Sequence, residues 1–320
     1  MNALFRVSQV KGWTFMTNPH SNRSLFSLSI NLTAMIMAAV MCTASSAQVA
    51  PAAAQPQSPG LTVTYIAHCG FLFSSGGQKV LADALTEPSK EWPFDTPSPD
   101  LLKKMERGEP PFDHINVVLI SHDHIDHHSP ASDVRFLLNN PKTVLVTTTE
   151  VRWQMEHDSP EFKKIQSQVI VPDLDWKQSI TLEVNGIKLE LARLKHGDDG
   201  QWRSIVFASL FDMGGKKVLF APATLGYFPE EYTTQGYAKR GIDLAFLNYT
   251  FAIQPRPGWS TATLNAAGIQ TVRNLIAPKI TVLMHVEPEA KASVEKLLPE
   301  VEKQLPGTVW FQHEMESRTF

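Results

Sequence analysis

From residue 61 onward the chain alternates short apolar runs with polar, glycine-marked breaks. LTVTYIA (61–67), GFLFSS (70–75) and QKVLADA (78–84) predict three strands, with Gly76-Gly77 as the tight turn between the last two. Prolines crowd residues 88–111, and PDLLKKMER (99–107) is a short helix candidate. INVVLIS (115–121) is almost wholly apolar, the pattern of a strand covered on both faces. Ser129 and Pro130 offer an N-cap and a first-turn proline for a helix through about Leu138. TVLVTTT (143–149) reads as a strand, followed by helical segments around 150–167.

The second half repeats this grammar. SITLEV (179–184) and KLELARLK (188–195) flank Asn185-Gly186, a hairpin signal. SIVFASLFDM (204–213) and KKVLFAP (216–222) flank Gly214-Gly215 in the same way. IDLAFLNY (242–249), ITVLMH (280–285) and TVWFQHE (308–314) read as strands, separated by helices at 263–278 and 288–305. Two successive strand sets with helices outside predict an α/β domain, about 61–320, in which two sheets pack face to face under helical layers.

Composition fits that picture, with 43% hydrophobic and 19% charged residues. The start of the chain differs. No acidic residue occurs before Asp83, and Arg23 precedes the apolar stretch LFSLSINLTAMIMAAVMCTASSAQ. Ser45 and Ala47 are placed for cleavage before Gln48, so residues 1–47 read as a signal peptide and 48–60 as an Ala/Pro/Gln linker. Translation from Met16 would give a leader of more ordinary length. The expected location is periplasmic or secreted, with no stable membrane span in the mature chain. Removing the leader takes away Cys42 and leaves Cys69, so no internal disulfide is expected. It also leaves 26 basic against 32 acidic residues, an acidic body that argues against a nucleic-acid partner and for a small-molecule substrate. The oligomeric state is not legible.

Candidate chemistry concentrates where the strand 115–121 ends. Four histidines and two aspartates fall between His122 and His128. Burying so many lone pairs at a strand end is costly unless a cation sits among them. Imidazole nitrogen and carboxylate oxygen suit zinc and, less selectively, iron or manganese. His122 and His124 can point the same way from an extended loop; Asp126 and His127, where the chain turns into a helix, can face a second, adjacent point.

H-D-H-I-D-H at 122–127 resembles the H-x-H-x-D-H signature of the metallo-β-lactamase fold hydrolases. VTYIAHCGFLFSSGGQKVLADA is similar to the opening of the branch that includes ascorbate-6-phosphate lactonase-like enzymes. There a hairpin ends in an aspartate beneath the metal site, here Asp83. The resemblance implies a four-layer αββα sandwich with its site at one edge. It implies that His122, His124 and His196 hold one metal and that Asp126, His127 and His285 hold another, with Asp126 also catalytic in orienting the nucleophile. The implied activity is attack by a metal-bound hydroxide on a lactone, β-lactam, ester, amide or phosphodiester. His68 could lie near such a site or be a structural histidine, and Cys69 reads as a small core residue. Asp123 and His128 read as supporting or solvent-facing, and His114, His157 and His313 as surface. Asp198, Asp199, Trp202, Tyr227, Tyr249 and Trp259 are weaker candidates for orienting residues or pocket walls. Residues 250–263 are expected to shape the substrate mouth.

One position departs from the pattern. Most two-metal members carry V-L-F-x-G-D-T, whose aspartate bridges the metals, whereas this chain reads VLFAPAT with Ala223 at that place. Two Zn2+ held without the bridge, one held tightly and one weakly, or a binding protein with impaired hydrolysis are the readings left open.

Overall fold

The structure is a computed structural model that describes residues 59–90, 92–196, 204–222, 229–255 and 261–320. The proposed signal peptide and all of the linker before Pro59 therefore lie outside the described residues. Strands and helices are numbered in chain order.

Among the described residues, the first sheet runs β1 (Thr62–Ala67), β2 (Gly70–Ser75), β3 (Gln78–Ala82), β4 (Val117–Leu119), β5 (Val144–Val146) and β6 (Val169–Ile170), with β16 (Ser317–Thr319) outside β1. The β1–β3 meander is antiparallel, and β3 to β6 are parallel. The second sheet runs β7 (Ser179–Val184), β8 (Ile187–Lys195), β9 (Ile205–Met213), β10 (Lys216–Ala221), β11 (Leu244–Asn248), β14 (Ile280–Met284) and β15 (Thr308–Trp310). Its first four strands are antiparallel and its last four parallel. A separate hairpin pairs β12 (Ile253–Pro255) with β13 (Ala262–Leu264).

Side-chain alternation makes the layers. Phe71 and Phe73 face the second sheet, where Phe246 meets both at 4.9 Å and Phe211 meets Phe73 at 5.3 Å between ring centroids. Leu72, between them, points the other way and packs with Leu81, Val118 and Leu145. That outer face is covered by α1 (Pro99–Glu106), α2 (Pro130–Asn139), α3 (Thr149–Asp158) and α4 (Phe162–Ile165). Leu210, Leu219, Ala245 and Leu283 form the outer face of the second sheet under α5 (Pro229–Gln235), α6 (Ala266–Leu275) and α7 (Lys291–Gln304). Three apolar cores thus separate four layers, an αββα sandwich as the sequence predicts. No helix among the described residues is long and apolar enough to cross a membrane.

Two local expectations need correction. Ser129 does precede α2, but its hydroxyl donates to Glu87 Oε2 at 2.6 Å and does not cap the helix. The strand read at 143–149 stops at Val146, because Thr148 turns its hydroxyl onto the Val151 amide at 3.4 Å and caps α3. Within 250–263, strand pairing claims Ile253–Pro255 and Ala262 onward; residues 256–260 lie outside the described residues.

Candidate metal centre

The candidate residues sit where strands end. His122, His124, Asp126 and His127 lie on the loop from β4 to α2, His196 follows β8, and His285 follows β14. His68 follows β1 and Asp83 follows β3. Three of these strand-end residues adopt left-handed backbone, with φ of 45° at His68, 43° at Asp83 and 64° at His285. Such conformations cost about 1–3 kcal/mol for a side-chain-bearing residue and persist where the surroundings dictate them.

Three groups of ligand atoms result among the described residues, one of them His68, Cys69 and His285 and the other two built from the six candidates. His122, His124 and His196 bring one atom each within 4.8 Å of one another, with ring centroids 4.3 to 4.8 Å apart. Asp126, His127 and His285 do the same. In the second group Asp126 Oδ2 stands 3.1 Å from His285 Nε2 and 3.6 Å from His127 Nε2. The rings of His122 and His127 are 4.0 Å apart, which sets the groups side by side. All six residues proposed from sequence are therefore brought together.

Neighbours fix the orientations. Asp83 accepts from the Ser121 amide at 2.8 Å and from the Ser121 hydroxyl at 2.7 Å, and it contacts His127 Nδ1 at 2.7 Å. With Nδ1 so engaged, His127 presents Nε2 to the centre. Ser121 Oγ also reaches His122 Nδ1 at 2.9 Å, and Glu287 Oε1 lies 3.3 Å from His285 Nδ1. His128, fully buried, contacts Asp133 at 2.8 Å and Gln154 at 2.8 Å; Gln154 in turn donates to the Asp123 carbonyl at 3.1 Å. It supports the motif loop and does not face solvent. Sequence reasoning missed Ser121, Gln154 and Glu287. A carboxylate two residues after His285 was the one available signal.

Electrostatics divide the site. Burial, then the rings of His127, His124 and His196, hold the His122 imidazolium well below its ordinary range, so the ring stays neutral with a lone pair to offer. His124 is lowered for the same first reason. Burial alone would raise the Asp126 carboxyl, but His127, His285 and His68 around it hold it well below the usual carboxylate range. Burial would lower His285, yet the carboxylates of Asp126 and Glu287 beside it push it up to about 10.

The residues fit a divalent cation. His122 Nε2, His127 Nε2 and Asp126 Oδ1 are buried without a hydrogen-bond partner, and a buried polar atom of that kind calls for one. Five imidazoles and a carboxylate are the donor set of zinc, iron or manganese sites. Trp92 and Ile125, 39% and 43% exposed, border His124, with the Trp92 ring centroid 6.4 Å from that of His124.

The remaining candidates differ in their placement. Tyr249 is core, and Cys69 is fully buried beside His68 and His285. His114, His157 and His313 are exposed. Asp198, Asp199, Trp202, Ala223, Tyr227 and Trp259 lie outside the described residues.

The chain belongs to the β-lactamase superfamily, since the family model described as "Beta-lactamase superfamily domain" matches residues 94–286. That span includes every one of the six candidate ligands. The fold is that of the metal-dependent hydrolases of the metallo-β-lactamase class. Igni18, a metallo hydrolase from the hyperthermophilic archaeon Ignicoccus hospitalis, is 18% identical, with 81% of this chain and 98% of that chain covered and a TM-score of 0.51. An isothiocyanate hydrolase from Delia radicum gut bacteria is 14% identical over 81% of this chain and 98% of that one, with a TM-score of 0.52. A possible metal-dependent hydrolase from Veillonella parvula is 14% identical over 82% and 100%, also with a TM-score of 0.52. No curated protein matches the sequence.

Proposed function

We propose that this chain is an exported metal-dependent hydrolase of small molecules, with zinc as the metal and a lactone, β-lactam, ester, amide or phosphodiester as the substrate. One observation carries the reading: two three-residue groups of ligand atoms lie side by side, with buried ring nitrogens that no protein atom satisfies. His122, His124 and His196 would hold one ion; Asp126, His127 and His285 would hold the other. When bound, such ions acidify water and polarise the carbonyl or phosphoryl group under attack.

The chain's own residues supply orientation. Asp83 holds His127, Glu287 lies beside His285, and Asp126, kept ionised, offers Oδ1 to align the attacking water. Trp92 and Ile125 give the mouth an apolar rim that suits a substrate with a hydrophobic portion. The apolar leader supports a periplasmic or secreted location.

A second reading is favoured by Ala223, which cannot ligate where similar enzymes place an aspartate. On that reading the protein binds metal or ligand and hydrolyses poorly. Metal content of the purified mature chain, measured alongside turnover of a lactone, ester and phosphodiester panel with and without dipicolinate, separates the two. Bound zinc with chelator-sensitive turnover is the expected result. Bound metal, no turnover, and activity gained in Ala223→Asp would establish the second reading. Absence of metal after supply of zinc, iron and manganese would sink both.

A further inference from the structure

The hydrolase reading leaves the group of His68, Cys69 and His285 without a task. One ligand atom from each lies within 4.8 Å of the others, the same span that encloses each of the two groups already described. All three residues are buried, Cys69 completely. The rings of His68 and His285 are 4.3 Å apart between centroids. His68 follows β1 and His285 follows β14, and both have left-handed backbone. The His285 amide donates to the His68 carbonyl at 3.3 Å. Strained backbone and a bond between strand ends of different sheets therefore hold the two imidazoles side by side, with Cys69 next in the chain.

Hydrogen bonding leaves this cluster incomplete. His68 Nε2 lies 3.2 Å from Asp126 Oδ2, the contact of an N–H with a carboxylate. With the proton of a neutral ring on Nε2, Nδ1 is a bare acceptor. It is buried and no donor reaches it, the Cys69 thiol included. Such an unsatisfied buried group costs about 1–3 kcal/mol. A cation between imidazole and sulfur would satisfy it. Two imidazoles and a thiolate suit a soft or borderline ion such as Cd2+, Cu+ or Zn2+. As the metal–sulfur bond forms, the S–H bond breaks and its proton passes to solvent.

We infer that His68, Cys69 and His285 form a further metal seat, one that takes a thiophilic ion. It shares His285 with the group of Asp126 and His127, so an ion bound here competes for that imidazole. The seat concerns where metal binds and requires no turnover, which separates its fate from that of the hydrolase reading.

The test loads the purified mature chain with Cd2+ and reads it by cadmium NMR, in which a thiolate ligand moves the resonance far downfield of sites built from nitrogen and oxygen alone. The wild type is expected to show one downfield resonance. Cys69→Ser and Cys69→Ala should each lose it while keeping the resonances of the nitrogen and oxygen sites, with thermal melts to establish that they fold. His68→Gly, which suits the φ of 45°, should lose or shift it as well. Bound Cd2+ without a downfield resonance in the wild type would overturn the inference and spare the other two groups, whether or not a variant folds. A downfield resonance that survives in a folded Cys69 variant, or stays unmoved in His68→Gly, would overturn it too. No bound Cd2+ at all would remove this seat together with the other two.

Discussion

Asp83 is 1% exposed and directs both oxygens at the loop that carries the histidines. Replacing it with alanine leaves the Ser121 amide and hydroxyl without their buried acceptor, a loss of about 1–3 kcal/mol per group left unsatisfied. It also frees the His127 ring to turn. The expected outcome for Asp83→Ala is zinc affinity at the second group reduced about 10–100-fold, read by competition with a chromophoric chelator, together with a lower melting temperature. Unchanged affinity would mean that the loop backbone alone orients His127. This residue was legible because a hairpin ending in Asp is a local pattern, as is H-D-H-I-D-H. His196 and His285 were placed by their order after strands. His68 was different: its contact with Asp126 joins positions 58 apart in sequence, and no spacing rule reports such a meeting. Glu287 and Gln154 were equally silent, since a single polar residue beside a turn has many uses.

At the scale of elements, the long strands and hairpins were readable because alternation and Gly turns are local. Some of the shortest were not. β6 has two residues, and β12, β13 and β16 have three each, too few for any periodicity; β4, β5 and β15 are as short but were read within longer strand-like runs. β16 exists because β1 would otherwise expose an edge: Thr62, Val63 and Thr64 pair with Thr319, Arg318 and Ser317. Ion pairs tie other elements together, and their worth depends on pH. Arg240, after the 3-10 turn at Tyr237–Lys239, makes two hydrogen bonds to Glu190 on β8, one of them at 2.6 Å. The Arg240 guanidinium holds the Glu190 carboxyl below its usual range. A folded-state value below the unfolded one stabilises at pH above the ordinary glutamate range of about 4.3 and is lost as pH falls through the depressed value. Arg240→Met should therefore cost about 1 kcal/mol at pH 7, allowing for solvent screening of a partly exposed pair. The gap between wild type and variant should close in urea melts below about pH 4. An equal gap at pH 3 and pH 7 would assign the effect to lost packing of Arg240 on the Tyr237 ring, 5.8 Å from its guanidinium.

The whole molecule places its chemistry where the two sheets meet. Each ligand group draws from both: His196 from the second sheet joins His122 and His124 from the first, and His285 joins Asp126 and His127. The sequence foretold the two-sheet plan because its strand sets are consecutive, yet it could not show that every candidate ligand follows a strand at the same edge. A metal held this way is a cross-link between halves that share one apolar interior, so binding should stabilise the entire cooperative unit. Zinc at about 1,000 times its dissociation constant contributes roughly 4 kcal/mol to whatever folded state binds it. For a unit of this size each kcal/mol raises the melting temperature by about 2–4 °C, which predicts a rise of roughly 8–16 °C on loading the stripped protein. Acid should erase the gain, because imidazoles must be neutral to ligate and protons compete for them. Calorimetry of stripped and zinc-loaded protein at pH 7.5 and pH 5 measures all of this. His196→Ala and His285→Ala should each lose part of the rise, since each removes the second sheet's share of one group. Superimposable stripped and loaded melts at pH 7.5 would show that the two strand-end clusters do not act as a metal-closed joint.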